Sequence, residues 1–224
     1  MSLIFQISLH GKAYDARDKE WSQIFEETGC TPRSGWKDPL LNRTLLKGEF
    51  GCSVSHLRVW EKIASGNNNG IILEEDAVFD QINVDQVNWL LDGEGYDSVW
   101  LGYRWNTLGY WYNCHGYCLT PNTAAKLVEG FSQDIIPVDE WIPEKIKDLN
   151  NYFYPEEVVK QIPRETRPST IEDTDMIPED THNMHIVTVA TDESRMWALK
   201  QSAEHFGYLV HNLGKDSDWS DPME

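Results

Sequence analysis

A short apolar run that ends in three consecutive acids constrains this chain more than any other feature of its sequence. Residues 70–73 read GIIL, and Glu74, Glu75 and Asp76 follow at once. A continuous apolar run of this length is typical of a strand that is buried on both faces of a parallel sheet. The pattern therefore predicts an α/β fold in which three carboxylates stand at the carboxyl end of a buried strand.

Three neighbouring carboxylates at a strand end raise one another's pKa unless something neutralises them. A divalent cation with oxygen ligands does so, and ligands of open α/β sheets bind at this end of the strands. One interpretation of Glu74, Glu75 and Asp76 is thus an Mg²⁺ or Mn²⁺ site that faces a diphosphate. The other is a solvated acidic turn that caps a helix.

Hydrophobic periodicity predicts the remaining elements of an α/β domain. It indicates strands at 3–9, 70–73, 98–101 and 117–119, and helices at 16–28, 52–65, 84–91, 121–131 and 139–149. Ser53 and Thr120 are expected to cap the second and fourth of these helices. Residues 31–47 are expected to form mostly loop, because turn residues and mixed polarity dominate there.

The chain changes character after residue 161. Residues 162–180 are rich in proline and acids and show little periodicity, which is typical of a linker. A strand at 184–190, a helix capped by Thr191 and a strand at 208–213 then predict a new βαβ unit. We therefore expect a first domain over residues 1–178 and an appendage over 179–224.

Charge excludes several classes of partner. The chain has 19 basic and 37 acidic residues, a formal net charge of −18. No basic stripe is available to bind nucleic acid or an anionic membrane surface, and a phosphorylated ligand would need a metal cation as intermediary. No apolar stretch is long enough to span a bilayer and the start lacks a signal peptide, so we expect a cytoplasmic location with four reduced cysteines. The sequence carries no signal for an oligomeric state.

Tryptophan is unusually frequent. The chain contains 10 Trp, and residues 100–112 read WLGYRWNTLGYWY. These rings could serve core and loop packing, or they could form a platform for sugars, whose apolar C–H faces stack on aromatic rings.

Residues 48–79 closely resemble the signature of glycosyltransferase family 25, which includes bacterial lipooligosaccharide galactosyltransferases and animal collagen galactosyltransferases. The run Gly48-Glu49-Phe50-Gly51-Cys52 and the pair Ser55-His56 match its opening. The acidic triplet has Glu75 where the family pattern has Asp, while the outer positions keep the spacing of an Asp-x-Asp motif. Segments 97–102, 116–127, 135–142 and 169–175 are similar to later segments of the family.

The resemblance implies a fold, a reaction and a set of site residues. The fold is GT-A-like (Rossmann-like), a mostly parallel α/β sheet flanked by helices. The reaction is an inverting, metal-dependent transfer of a hexose, galactose or glucose, from a UDP-sugar to a hydroxyl of a glycan or a collagen-like peptide, with Mn²⁺ or Mg²⁺ as the cofactor. The metal ligands implied are Glu74 and Asp76; the residues that meet the donor are Ser55, His56, Glu75, Asp15 and Arg17; the general base is Asp139, with Glu140 as the second candidate.

A second, shorter resemblance covers the end of the chain. Residues 186–219 are similar to the start of the glycosyltransferase domain of procollagen lysyl hydroxylases. This implies that the appendage opens another domain of a larger enzyme of the collagen-modifying type. Since no secretory signal is seen, a bacterial cell or a virus-infected host cell is the expected setting.

Two other classes of function remain open on the sequence alone. A catalytically weak or inactive module that binds nucleotides or carbohydrates would also carry these motifs. A glycoside hydrolase would use two carboxylates and no metal, so that chelators would leave it active.

Overall fold

A computed structural model of the chain describes residues 2–8, 13–162, 185–188 and 209–212. The chain divides into two compact units, Met1–Asp173 and Thr174–Glu224. The domain boundary predicted after residue 178 stays a prediction. None of the helices in the described ranges combines the length and apolar character that a membrane span requires.

The first unit contains every strand and helix that the sequence predicts for it, together with three short strands that the sequence does not predict. Its strands are β1 (Leu3–Ile7), β2 (Gly70–Glu74), β3 (Ala77–Val78), β4 (Ser98–Trp105), β5 (Trp111–Leu119), β6 (Asn151–Phe153) and β7 (Lys160–Gln161). The unpredicted strands are β3, β6 and β7. Its helices are α1 (Trp21–Thr28), α2 (Lys47–Ala64), α3 (Val84–Asn88), α4 (Pro121–Val128) and α5 (Val138–Ile146), with a π-helical turn at Trp89–Gly93 and a 3₁₀ turn at Phe131–Gln133. The segment between α1 and α2 is irregular, as expected.

The central sheet has five strands in the order β1-β2-β5-β4-β6. The pairs β1/β2 and β4/β6 are parallel, while β5 is antiparallel to both of its neighbours. Four strands therefore run in one direction and β5 returns between them, which confirms the predicted mostly parallel α/β sheet. The carboxyl ends of β1, β2 and β4 and the start of β5 meet at one edge.

Helices cover both faces of the sheet, which explains why β2 is apolar from Gly70 to Leu73. On one face Ile72 packs with residues of α2, α4 and α5. On the other face Ile71 and Leu73 pack with residues of α3 and the π-helical turn. Several of the tryptophans serve this core, since Trp60, Trp100 and Trp141 are fully buried.

Helix α2 begins five residues earlier than predicted, and the predicted capping role of Ser53 is wrong. The helix starts at Lys47, and the carboxylate of Glu49 accepts a hydrogen bond from the amide of Leu46 at 2.9 Å. Ser53 lies inside the helix, where its hydroxyl donates to the carbonyl of Ile136 at 2.8 Å. An acid three residues into a helix competes with serine for the capping role, because both satisfy the free amides of the first turn.

Helix α4 begins as predicted. The Thr120 hydroxyl accepts a hydrogen bond from the amide of Thr123, and Pro121 is the first helical residue. The helix ends at Val128 rather than near residue 131, and a 3₁₀ turn follows it.

The second unit is described at two strands. β8 (His185–Thr188) and β9 (Leu209–Asn212) pair in parallel, as expected for the predicted βαβ unit. The helix predicted after Thr191, the linker from residue 163 onward and the family-like segment 169–175 lie outside the described residues.

Candidate active site

A cavity of about 660 Å³ opens at the edge of the sheet where β1, β2 and β4 end. The ends of these strands, the start of β5 and the first turns of α2 and α5 contribute to its wall. The sequence-predicted residues that line it are Asp15, Arg17, Ser55, Glu74, Glu75, Asp76, Asp139 and Glu140. Of the nine predicted site residues, His56 alone is not among the lining residues.

The acidic triplet lies at the cavity wall, at the end of β2. Asp76 is half-buried, and its carboxylate accepts a hydrogen bond from the side-chain amide of Gln161 at 2.9 Å. The backbone carbonyl of Asp76 accepts a second hydrogen bond from the amide of Ile162. Burial and the negative charge of Glu74 raise the pKa of Asp76, although the Gln161 hydrogen bond opposes this rise. The acids are therefore held close together with their charges only partly compensated.

Glu74 is held from beneath by a buried chain of hydrogen bonds. His56 Nε2 lies 3.2 Å from the Glu74 carboxylate and His56 Nδ1 lies 2.7 Å from the Tyr117 hydroxyl, which also accepts from Trp60 Nε1 at 2.9 Å. Because an ionised carboxylate only accepts, Nε2 donates to Glu74, while the Tyr117 hydroxyl is the shared partner of His56 Nδ1 and Trp60 Nε1. Burial alone would raise the pKa of Glu74, but the hydrogen bond and charge of His56 lower it below its usual value.

Tyr117→Phe tests this chain, since it removes one hydroxyl and leaves two buried nitrogen atoms without a partner. We expect the free energy of unfolding to fall by roughly 1–3 kcal/mol, the cost of leaving a buried polar group unsatisfied. Urea denaturation of the variant beside Tyr152→Phe measures the effect, because the Tyr152 ring packs on two other tyrosines at a half-buried position. Equal loss in both variants would mean that the chain of hydrogen bonds contributes nothing specific.

Within the described ranges, Cys52, His56 and Glu74 place three potential ligand atoms within 4.8 Å of one another. In this structure His56 Nε2 donates to Glu74, so it serves as a partner of that acid rather than as a ligand for a cation. The Cys52 thiol has its pKa raised far above the usual value by burial and by the charge of Glu74. The carboxylates of Glu74, Glu75 and Asp76 do fit one, since they offer oxygen ligands and excess negative charge at the cavity wall.

The loop after β1 is docked on α2 by close contacts. The Ser55 hydroxyl accepts from the amide of Tyr14 and donates to the carbonyl of Gly51, both at 2.8 Å. A Cβ atom at Gly51 would lie 2.6 Å from the carbonyl oxygen of Tyr14, so this approach requires glycine. The loop presents Asp15 and Arg17 to the cavity as an ion pair, with 2.6 Å between a guanidinium nitrogen and a carboxylate oxygen.

Asp139 and Glu140 enter the cavity from the first turn of α5. Asp139 accepts a hydrogen bond from the amide of Cys114 at 3.0 Å, and Glu140 accepts from the hydroxyl of Tyr110 at 2.6 Å. Burial and the charge of Glu74 raise the pKa of Asp139. Burial raises the pKa of Glu140 as well, although the Tyr110 hydrogen bond opposes it. Raised carboxyl pKa values are the property that suits these groups to accept a proton.

The cavity wall is strongly acidic. Its acids are Asp15, Asp38, Glu49, Glu74, Glu75, Asp76, Asp139 and Glu140, against the two cations Arg17 and Arg43. Both arginines are already paired with acids, Arg17 with Asp15 and Arg43 with Glu49 at 2.7 Å. The net negative charge of the cavity wall therefore opposes the binding of an anionic ligand.

Some residues of the site could not be recognised from the sequence. Gln161, which binds Asp76, belongs to a two-residue strand that lies 85 residues further along the chain. Tyr117 and Trp60 look like ordinary core residues, and no local signal marks their hydroxyl and indole groups as partners of His56. Glu49 did carry a signal, since it stands in the motif quoted above, and its role in pairing with Arg43 follows from the structure.

Known proteins resemble this chain over the part that contributes most of the cavity wall. The family model described as "Glycosyltransferase family 25 (LPS biosynthesis protein)" matches residues 12–105, which include the acidic triplet. A "Glycosyltransferase 25 family member" of Aedes aegypti is 32% identical over 130 residues, which cover 49% of this chain and 21% of that protein. The human "Inactive glycosyltransferase 25 family member 3" is 25% identical over 189 residues, which cover 71% of this chain and 32% of that protein.

A Drosophila melanogaster "Glycosyltransferase 25 family member" is also similar, at 26% identity over 60% of this chain and 25% of its own length. The chain thus spans about a fifth to a third of the length of these relatives. The acidic triplet and the Ser55–His56 pair lie inside the matched region and contribute to the cavity wall and to its support. We conclude that residues 12–105 of the chain are similar in sequence to glycosyltransferase family 25.

Proposed function

We propose that this domain is an inverting, metal-dependent hexosyltransferase that moves galactose or glucose from a UDP-sugar to a hydroxyl acceptor. The observation that carries the proposal is the single cavity that both the triplet at the end of β2 and the Asp139–Glu140 pair line. The acidic triplet is suited to bind a cation, and the Asp139–Glu140 pair is suited to act as a general base. Inverting transfer needs both functions beside one sugar.

Glu74 and Asp76 are the residues that would hold Mn²⁺ or Mg²⁺, with Glu75 beside them. When bound, the cation neutralises charge on the departing diphosphate. His56 orients Glu74 through its hydrogen bond and Gln161 orients Asp76. The predicted meeting of His56 with the donor stays a prediction; His56 is buried beneath Glu74 and supports the proposal by orienting that acid.

The donor nucleotide is proposed to lie on the β1 side of the cavity. Asp15 and Arg17 face the cavity there, on the loop that Ser55 holds. The guanidinium of Arg17 donates to Asp15 through two nitrogen atoms, so Asp15 fixes its orientation. Arg17 is then placed to meet an anionic or ribose oxygen without searching rotamers.

Asp139 is proposed as the general base. Its carboxylate takes the proton from the acceptor hydroxyl while that oxygen forms a bond to the anomeric carbon and the bond from this carbon to UDP breaks. The hydrogen bond from Cys114 fixes one carboxylate oxygen of Asp139. Glu140 is the second candidate for this role. Its carboxylate already accepts a hydrogen bond from the Tyr110 hydroxyl.

A UDP-release assay tests the proposal. Nucleotide sugars are screened against simple glycosides and collagen-like hydroxylysine peptides, with and without Mn²⁺. We expect UDP release that requires both an acceptor and the cation, and that EDTA abolishes. Acceptor-dependent release that persists in EDTA would remove the metal from the mechanism, and a retained anomeric configuration in the product would contradict inversion.

A nucleotide- or carbohydrate-binding module is the second candidate. The observations that favour it are Glu75 in the middle of the acidic triplet and the names of relatives such as the human "Inactive glycosyltransferase 25 family member 3". Isothermal titration with UDP and Mn²⁺ separates the two functions when it is combined with the release assay. Tight binding without turnover on any acceptor of the panel favours the module.

A further inference from the structure

One large aromatic side chain at the cavity is exposed although it packs against three other aromatic rings. Trp105 is 56% exposed and lines the cavity. Its ring lies 5.4 Å from that of Phe153, 6.1 Å from that of Trp111 and 6.5 Å from that of Tyr103, measured between centroids. A ring that already packs against other rings loses less conformational entropy when a ligand stacks on it than an isolated ring does.

The position of Trp105 links it to the proposed base. It ends β4, and the hairpin from β4 to β5 contacts both acids of α5. Within this hairpin the Tyr110 hydroxyl donates to Glu140 at 2.6 Å, and the amide of Cys114 donates to Asp139 at 3.0 Å. Any group whose hydroxyl reaches Asp139 therefore lies beside the element that carries Trp105.

The sheet order separates Trp105 from the nucleotide side of the cavity. β1 precedes the loop with Asp15 and Arg17, and it pairs with β2. β4 lies beyond β5, three positions from β1 in the order β1-β2-β5-β4-β6. A donor that extends from the β1 side to the acids of β2 leaves the β4 side for the acceptor.

We propose that Trp105 is a stacking platform for a pyranose ring of the acceptor, so that the acceptor of this domain is a saccharide. This inference rests on the proposed function. The face of an indole ring is electronegative and attracts the C–H groups on the apolar face of a pyranose. The hydroxyl groups of the pyranose would then face the polar residues Asn106, Thr107 and Asn113 and the acids of the cavity wall.

Binding of simple glycosides without nucleotide tests the platform. The probes are methyl β-D-galactopyranoside and methyl β-D-glucopyranoside, and their affinities are measured by saturation-transfer difference NMR for the parent chain, Trp105→Phe, Trp105→Ala and Trp89→Ala. Trp89 is the matched control, because it is 55% exposed and does not line the cavity. We expect the affinity to fall about tenfold or more in Trp105→Ala, to recover in part in Trp105→Phe, and to stay at the parent level in Trp89→Ala.

Three other outcomes would contradict the proposal that Trp105 is a stacking platform. These outcomes are unchanged glycoside binding in Trp105→Ala, equal loss in Trp89→Ala, and no binding of either glycoside to the parent chain. Titration of the same preparations with UDP and Mn²⁺ keeps the two proposals apart. A parent that binds UDP and Mn²⁺ but no glycoside leaves the transferase proposal in place, whereas selective loss of UDP binding in Trp105→Ala would assign the ring to the uracil base.

Discussion

Replacing Asp139 with asparagine is expected to lower kcat by roughly 10²–10⁴-fold, the contribution typical of a general base. Asparagine is nearly isosteric and its side-chain oxygen can still accept the hydrogen bond from Cys114, so the site keeps its shape. The affinity for UDP and Mn²⁺ should stay close to that of the parent. Single-turnover kinetics on an accepted substrate, together with titration of UDP, separate the two quantities.

The same variant should lose no stability. A carboxyl whose pKa is higher in the folded protein than in the unfolded chain binds its proton more tightly when folded. Its contribution to stability is present below the unfolded-state pKa of about 3.9 and is lost as the pH rises through the folded-state value. Burial and Glu74 raise the pKa of Asp139 in this way, so its charged form opposes folding at neutral pH.

We therefore expect the unfolding temperature of Asp139→Asn at pH 7 to equal or exceed that of the parent while turnover collapses. A purely structural role for Asp139 would show the reverse, with lower stability and retained kcat. Near-parental kcat would place the base elsewhere, and Glu140→Gln would be the next variant to examine.

Replacing Asp76 with asparagine is expected to abolish metal-dependent binding of UDP and most of the activity. The variant removes a negative charge from the oxygen ligands of the proposed cation site. Loss of an outer partner of a metal ligand typically weakens metal affinity by roughly 10–100-fold, and loss of the ligand itself should exceed this. Isothermal titration of UDP at several Mn²⁺ concentrations measures the effect.

Asp80→Asn is the matched control for Asp76→Asn, since Asp80 is exposed, lies four residues away and does not line the cavity. Circular dichroism should show both variants folded. If Asp76→Asn binds UDP and Mn²⁺ as tightly as Asp80→Asn does, Asp76 is not a metal ligand.

The sequence predicted the placement of the acidic triplet because the signals there are local. Four apolar residues bounded by a turn and by acids specify a strand buried on both faces, and its carboxyl end can face only the sheet edge where ligands bind. Asp139 was predictable in the same way, because a proline and two acids mark the first turn of a helix. That the acidic triplet and Asp139 lie in one cavity was implied by the family resemblance. Their spacing along the chain did not predict it.

The parts that sequence reasoning missed depend on contacts between distant segments. Ser53 looks like a capping residue, yet its hydroxyl serves the carbonyl of Ile136, 83 residues away. His56 resembles a ligand-binding histidine, but the packing of α2 on β2 and β5 buries it under Glu74. Neither outcome can be read from periodicity, because each is decided by which side chain of another element lies opposite.

The aromatic segment 100–112 shows that both sequence interpretations can apply within one run. Trp100 and Trp111 are buried and pack against each other, as the core-packing interpretation expects. Trp105 ends the same strand at an exposed position and reaches the cavity. Strand periodicity could not separate these residues, because the pairing of β4 with β5 shifts register between Trp100 and Arg104 and Trp105 packs on the same Trp111 and Phe153 rings as Trp100.

The short pairing of β3 with β7 sets a limit on how this domain can be shortened. Gln161 holds the side chain of Asp76 and Ile162 holds its backbone, so two successive residues near the end of the described part of the first unit fix one acid of the triplet. Residues 79–159 separate β3 from β7 in the sequence, and the pairing of these two strands brings the chain back beside Asp76. Fragments that stop before Ile162 would keep the central sheet but would lose one or both of the hydrogen bonds that hold Asp76. Residue 162 is therefore the earliest sensible terminus for a minimal domain.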